Sequence, residues 1–330
     1  MPVKIWSTGG GSGKAYSITS ATNLQLSPDD GKVTISWTDP NDLLWLGTKV
    51  IRKAGSYPNS ITDGVVVVDS KVKNQYKVTG FEDTSVVNDT EYFYSVFAYS
   101  KGGYALPVSA SATPMSFSNV LSENTWKQIS KASEMGIAST LWSVGDEIDV
   151  QIAGGTYTFQ IYGFDHDDKA DDSGKAGITF GMKGIIYDTN ATMNSTQTNT
   201  GSWRDSRMRV RTFSNYYKNM QSDVKAVIKT VNKITGQYNN GTNITTQDNL
   251  FLFAEKEVGL AKYSTSNERN QLSTYPIFTD DSSRIKGNYW KLRSPDRSDS
   301  SMFCIVTNKG TADAGVANNN TWCIVIGFCV

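Results

Sequence analysis

The sequence is poor in the residues that most catalysis needs. Among 330 residues there are three cysteines and a single histidine, His166. One histidine excludes His-cluster metal sites and most His-based triads. Acidic and basic residues balance at 32 each, so no broad cationic surface is available for a nucleic acid or an anionic membrane. Charged residues make up 19% and hydrophobic residues 38%, both below the usual globular shares. No window reaches the roughly 20 apolar residues of a membrane helix. The opening MPVKIWSTGGGSGK has no apolar core of signal-peptide length. The weight falls instead on Gly, Ser, Thr and Asn, residues of turns and wet surfaces. With 11% aromatics there is still bulk enough for real cores, and the length suits two domains.

The cysteines, Cys304, Cys323 and Cys329, all lie near the C-terminus in apolar runs (MFCIV, TWCIVIGFCV). An odd number without a signal peptide reads as reduced thiols packed as small hydrophobes; a Cys304–Cys323 bridge is the alternative. The Gly-rich stretch Gly9 to Lys14 is no phosphate loop, because Thr8 stands where its first Gly belongs and Ala15 follows the Lys. Residues 1–16 therefore read as a flexible linker behind an apolar peg of Val3, Ile5 and Trp6. The peg fits a docking strand for another protein, and a frayed terminus is the competing reading.

Residues 17–113 are strands and turns. Val33, Ile35 and Trp37 alternate as on a half-buried strand, and Thr48 to Lys53 and Val65 to Asp69 are further β-branched runs. In NDTEYFYSVFAYSKGG, Thr90, Tyr92, Tyr94, Val96 and Ala98 share one face, with Tyr92 placed to tuck inward and hydrogen-bond back to the backbone. These features resemble a fibronectin type III domain, a β-sandwich. The resemblance implies Trp37 and Tyr92 as core and is nearly silent on function.

Residues 114–122 read as a polar connector, and 123–330 as an α+β domain with long irregular loops, making the whole chain mainly β. Strands are expected at Ile148 to Ile152, Tyr157 to Phe164, Ala176 to Phe180, around Leu250 to Ala254, at Phe303 to Val306 and at Trp322 to Val330. Ser202 is a plausible helix N-cap with Asp205 behind it; Asn215 to Val231 mixes helix and strand signals. Several phrases, among them Val144-Gly145-Asp146, Phe164-Asp165-His166-Asp167-Asp168, Lys175 to Phe180, Trp203-Arg204-Asp205-Ser206, Tyr289 to Pro295 and Gly327-Phe328-Cys329, are similar to an uncharacterised module of Gram-positive bacteria and their phages. That module looks like the C-type-lectin fold. Lys291 stands where the family usually has a second Trp, which removes one stacking surface.

The resemblance implies a non-enzymatic phage virion surface protein, in tail fibre, baseplate or capsid decoration. It would be held by its N-terminal peptide to other virion proteins and would present a lectin-like domain to host-surface glycans. A purely structural cementing protein and a bacterial surface adhesin are the alternatives, and a homo-oligomer such as a trimer is expected although no heptad repeat enforces it. Sugar recognition needs aromatic faces with Asn, Asp or Arg beside them, which selects Trp203, Tyr289, Trp290, Arg293, Trp322 and the loop Asn318, Asn319, Asn320. For Trp290 and Arg293 a fold-organising role is the stronger reading. The acidic run Asp165, Asp167, Asp168, Asp171, Asp172 could hold Ca²⁺ or be a solvated loop; it lacks the EF-hand pattern. No paired carboxylates, no Ser or Cys motif beside His166, and apolar flanks that raise thiol pKa values argue against catalysis.

Overall fold

The computed structural model of the chain describes residues 18–330; Val3, Ile5, Trp6 and the Gly-rich linker lie outside the described residues. The chain is mainly β. It divides into two compact units, one ending at Ser116 and one running from Phe117 to Val330.

The first unit is a sandwich of β1 (Thr22–Asp29), β2 (Lys32–Thr38), β3 (Gly47–Ala54), β4 (Val65–Ser70), β5 (Phe81–Asp83), β6 (Tyr92–Ser100), β7 (Gly103–Tyr104) and β8 (Val108–Ala112). One sheet runs β1-β2-β5; the other runs β4-β3-β6, with β7 and β8 both on β6. The β1–β2 hairpin turns through Asp30-Gly31, where Gly31 has φ +62°, the backbone such a two-residue turn demands. Alternation along β2 buries Val33, Ile35 and Trp37 against Val50, Tyr94 and Val96 from the other sheet. Trp37 donates its indole N–H to Asp39 at 2.8 Å, so its burial leaves no orphan donor. The Tyr92 hydroxyl accepts the Val87 amide at 3.1 Å, closing the corner expected from the spacing, while the fully buried ring is that of Tyr94.

The second unit has a helix near its start, ahead of the first strand expected from the sequence at Ile148. α1 (Trp126–Glu134) is held by a capping box in which Thr125 and Gln128 each serve the other's backbone N–H. It is followed by α2 (Ala138–Leu141), β9 (Glu147–Ile152), β10 (Gly155–Phe164), β11 (Ile178–Met182), α3 (Ser202–Asp205), a π-helical turn (Met208–Phe213), α4 (Ser214–Lys218) and α5 (Ser222–Val227). Then come β12 (Val231–Gln237), β13 (Gly241–Asp248), α6 (Ser266–Arg269), β14 (Trp290–Pro295), β15 (Met302–Val306), β16 (Ala312–Val316) and β17 (Gly327–Cys329). The sheets are β17-β11-β10-β9, the hairpin β12-β13, and β14-β15-β16. Trp126 packs against Phe180 and Phe328 in a core shared with Phe159.

Three local expectations are corrected. Ser202 does not cap α3: its hydroxyl turns inward to the Gly236 carbonyl at 2.6 Å, and Gly201 precedes the helix in the left-handed region. Leu250 to Ala254 is buried throughout and makes only an isolated bridge, Phe251 to Gly327, instead of a ladder. The expected strand Trp322 to Val330 is regular only over β17, with single bridges at Cys323 and Ile324.

Candidate ligand-binding site

Three of the side chains selected for sugar contact are interior. Trp203, Trp290 and Arg293 are each 0% exposed, so none offers a face to solvent. Trp203 donates to Asp248 at 2.9 Å and Trp290 to the Arg284 carbonyl at 3.1 Å; both indoles are spent on the framework. Tyr289 and Trp322 are half-buried, and the backbone brings them together where Cys323 N–H bonds the Tyr289 carbonyl at 2.9 Å. The Trp322 indole sits against Gly315 of β16, where a Cβ would come within 1.8 Å of it. Its carbonyl accepts the Lys291 amine, whose pKa burial pulls down to about 8. Asn319 is committed to the turn, accepting from the Thr321 amide at 2.8 Å and the Trp322 amide at 3.2 Å. Asn318 and Asn320 are exposed beside it.

The acidic loop does not converge. Asp167 points into the core, Asp168 pairs with Lys175 at 2.7 Å, and Asp171 caps Ser173, while Asp165 and Asp172 turn outward with positive φ. Among the described residues no group of three or more His, Cys, Asp or Glu is placed to hold a metal, and Asp165, Asp167, Asp168, Asp171 and Asp172 do not converge on a common point. His166 stacks on Tyr275 with ring centroids 3.9 Å apart and meets the Ser273 hydroxyl through Nε2 at 2.9 Å. Its Nδ1 stays 3.6 Å from Asp167, beyond hydrogen-bond range, so the Ser–His–Asp order is not closed.

The same Asp167 belongs to a buried ionic network that no sequence pattern announced. Lys233 of β12 lies 2.6 Å from Asp167 and 2.8 Å from Glu257; Arg293 of β14 binds Glu257 through both terminal nitrogens at 2.5 and 2.7 Å. Arg293 spends its remaining donors on Thr235 and on the Leu252 and Ile234 carbonyls. Burial alone would push the Asp167 carboxyl up, yet the Lys233 ammonium outweighs it and holds the group well below its ordinary value. Burial likewise opposes charge on Glu257, and Arg293 with Lys233 bring it down to about 2. Glu268 differs: burial raises it to about 7 against the Ser294 hydroxyl and the Gly236 amide that donate to it and the nearby Arg293 charge. The two cations and two anions of the network cancel, which is what a dry interior requires.

A surface cleft of about 350 Å³ lies between the π-helical turn and the end of β13. Its lining includes Arg209, Val210, Tyr217, Gln247 and Asn249. Arg209 is fixed by Asp248 at 2.6 Å and by the Gln247 and Arg204 carbonyls, and Asn249 by Thr230 at 2.6 Å. The cleft thus offers one half-buried tyrosine and several polar groups on a set geometry. Nothing in the sequence singles out these residues: the π turn is set by tertiary context, and Arg209 meets its partner Asp248 39 residues away. All three cysteines are buried and unpaired, and burial raises each thiol's pKa, which leaves them unreactive.

Residues 177–326 match the family model of a domain of unknown function, DUF6273. That span holds Lys233, Glu257, Arg293 and the whole cleft, and begins after Asp167. Among solved structures the chain is similar to a fibronectin type III domain of human collagen XX, at 21% identity and TM-score 0.23, over 31% of this chain and 99% of that one. It is also similar to a fibronectin type III-like protein of Clostridium thermocellum, at 20% identity and TM-score 0.22, over 29% and 91%. A computationally redesigned β-sandwich matches at 20% identity and TM-score 0.25, over 30% and 98%. No curated protein matches the chain.

Proposed function

We propose that the chain is a non-catalytic display protein of a phage virion surface, whose second, lectin-like unit binds a host-surface glycan. The observation that carries the reading is the cleft beside the π turn. A saccharide ring needs an apolar face to lie on and hydroxyl partners held still, and Tyr217 with Arg209, Gln247 and Asn249 supply both. Because the Arg209 guanidinium is already neutralised by Asp248, a neutral sugar fits better than an acidic one. The first unit then acts as a spacer, and the N-terminal peptide with Val3, Ile5 and Trp6 as the attachment to other virion proteins. The balanced charge of the chain suits recognition by shape and hydrogen bonds.

A glycan array probed with the whole chain tests this. Binding to neutral saccharides is expected, weakened at least tenfold by Tyr217→Ala with an unchanged melting temperature. Binding that survives Tyr217→Ala but falls with Asn318→Ala and Asn320→Ala would move the site to the loop beside Trp322, whose indole sits against Gly315. No binding to any saccharide would leave the cementing role.

A further inference from the structure

The Asp167 carboxylate is divided between two environments. Its Oδ1 faces the Lys233 amine at 2.6 Å, and its Oδ2 accepts the hydroxyls of Tyr275 at 2.7 Å and Thr179 at 2.6 Å. A second carboxylate oxygen, Glu257 Oε1, lies 2.8 Å from the same amine and is fixed there by Arg293. The side chains of Lys233, Asp167 and Glu257 are 1%, 4% and 2% exposed, and the Phe251 ring lies 4.0 Å from the Lys233 nitrogen. A buried amine in hydrogen-bond contact with one carboxylate oxygen, with hydroxyl donors on the other oxygen and a second carboxylate on the amine, brings together the groups that an acyl transfer needs.

We propose that Lys233 and Asp167 condense within the folded chain into an intramolecular amide. The step begins with passage of one ammonium proton to Asp167 Oδ1, leaving a free amine and a carboxylic acid. The amine attacks Cγ, forming the Nζ–Cγ bond, and negative charge moves onto Oδ2 between the Tyr275 and Thr179 hydroxyls. A second nitrogen proton travels through Glu257 Oε1 to the Oδ1 hydroxyl. The Cγ–Oδ1 bond then breaks, one water leaves, and Oδ2 becomes the amide carbonyl oxygen. No oxidant or further reactant is needed. The condensation removes one buried cation and one buried anion together, so Arg293 and Glu257 remain as a neutral pair. The resting ion pair keeps the neutral amine and acid a minor state from which the amine attacks, so the linked fraction grows slowly with time after folding.

Intact-mass measurement of the full chain, taken fresh and after prolonged incubation at neutral pH, decides the matter. The expected result is a mass lower than that of the sequence by one water. Peptide mapping should join the segment holding Asp167 to the segment holding Lys233. Glu257→Gln should lower the linked fraction at least tenfold at equal times, and Lys233→Arg should keep the full mass. A full-length mass that never loses water, or a water loss mapped to any other pair, overturns the proposal. The decisive reading is on the unaltered protein, so a variant that fails to fold does not blunt it.

Discussion

The two units satisfy their buried polar groups by opposite means. In the sandwich, backbone donors and acceptors are paired by ladders, and the interior is apolar apart from Asp39, Asp83 and a few hydroxyls. In the second unit, the run from Asn249 to Tyr289 contains little beyond α6 and a short 3-10 turn, and side chains stand in for the missing ladder. Glu255 accepts the amides of Lys262, Tyr263 and Ser264; Glu257 accepts Ala254; Glu268 accepts Gly236. A carboxylate can take several N–H donors at once, which lets an irregular segment be buried without orphan amides. Two of these carboxylates draw in further charge or a proton: Lys233 and Arg293 pair with Glu257, and burial raises the Glu268 carboxyl. Irregular backbone and buried charge are thus one solution, not two.

The sharpest way to break the contrast is Glu257→Ala. It leaves Lys233 and Arg293 without a shared partner and should cost about 3–5 kcal/mol, the penalty for uncompensated buried charge. Calorimetry should show the transition of the second unit falling while that of the sandwich stays in place. Next comes pH. Glu268 titrates near 7 when folded and near its ordinary 4.5 when unfolded, so the folded state holds the extra proton between those values. Its contribution is therefore complete below about pH 4.5 and is lost as pH rises to 7, a change of about 3 kcal/mol. Asp167 and Glu257 run the other way, their stabilisation present above about pH 4.5 and lost in acid. Denaturant titrations of the wild type and Glu268→Gln across pH 4 to 8 check this; the variant should lose the decline. Glu255→Gln keeps the shape but weakens three backbone contacts and should cost about 2 kcal/mol in the second unit alone. Smallest is the sandwich's own ion pair. Arg52→Met leaves the buried Asp83 with Ser85 and Tyr94 as its remaining donors and should cost about 1.5 kcal/mol.

The same contrast explains what the sequence disclosed. Alternation is a local signal, so β2 and β6 of the sandwich and β9, β10 and β15 of the second unit were readable, and so was the corner at Tyr92. The capping box of α1 was also local, Thr125 and Gln128 three residues apart, and could have been read. The network could not. Asp167, Lys233, Glu257 and Arg293 are spread over more than a hundred residues, and each alone looks like a surface charge. Trp290 and Arg293 are buried within their phrase, and Trp203 is buried too, which a lone Trp in the sequence gives no sign of. The cleft was hidden for a different reason: its π turn is set by tertiary context, which no local pattern announces.

One feature of the second unit bears on its synthesis. β17 is the edge partner of β11, so a strand laid down near residue 180 waits for residues 327–329 before its outer row of hydrogen bonds is filled. The sandwich closes with β8, ending at Ala112. At ribosomal rates of roughly 5–20 residues per second, the interval between the two closures is on the order of ten to forty seconds. For the part of that interval after Met182 is made, roughly seven to thirty seconds, β11 carries an open edge on a nascent chain. An unpaired β edge at high concentration invites strand exchange between neighbours. The span between Met182 and Gly327 is therefore the window in which the nascent second unit is most open to strand exchange.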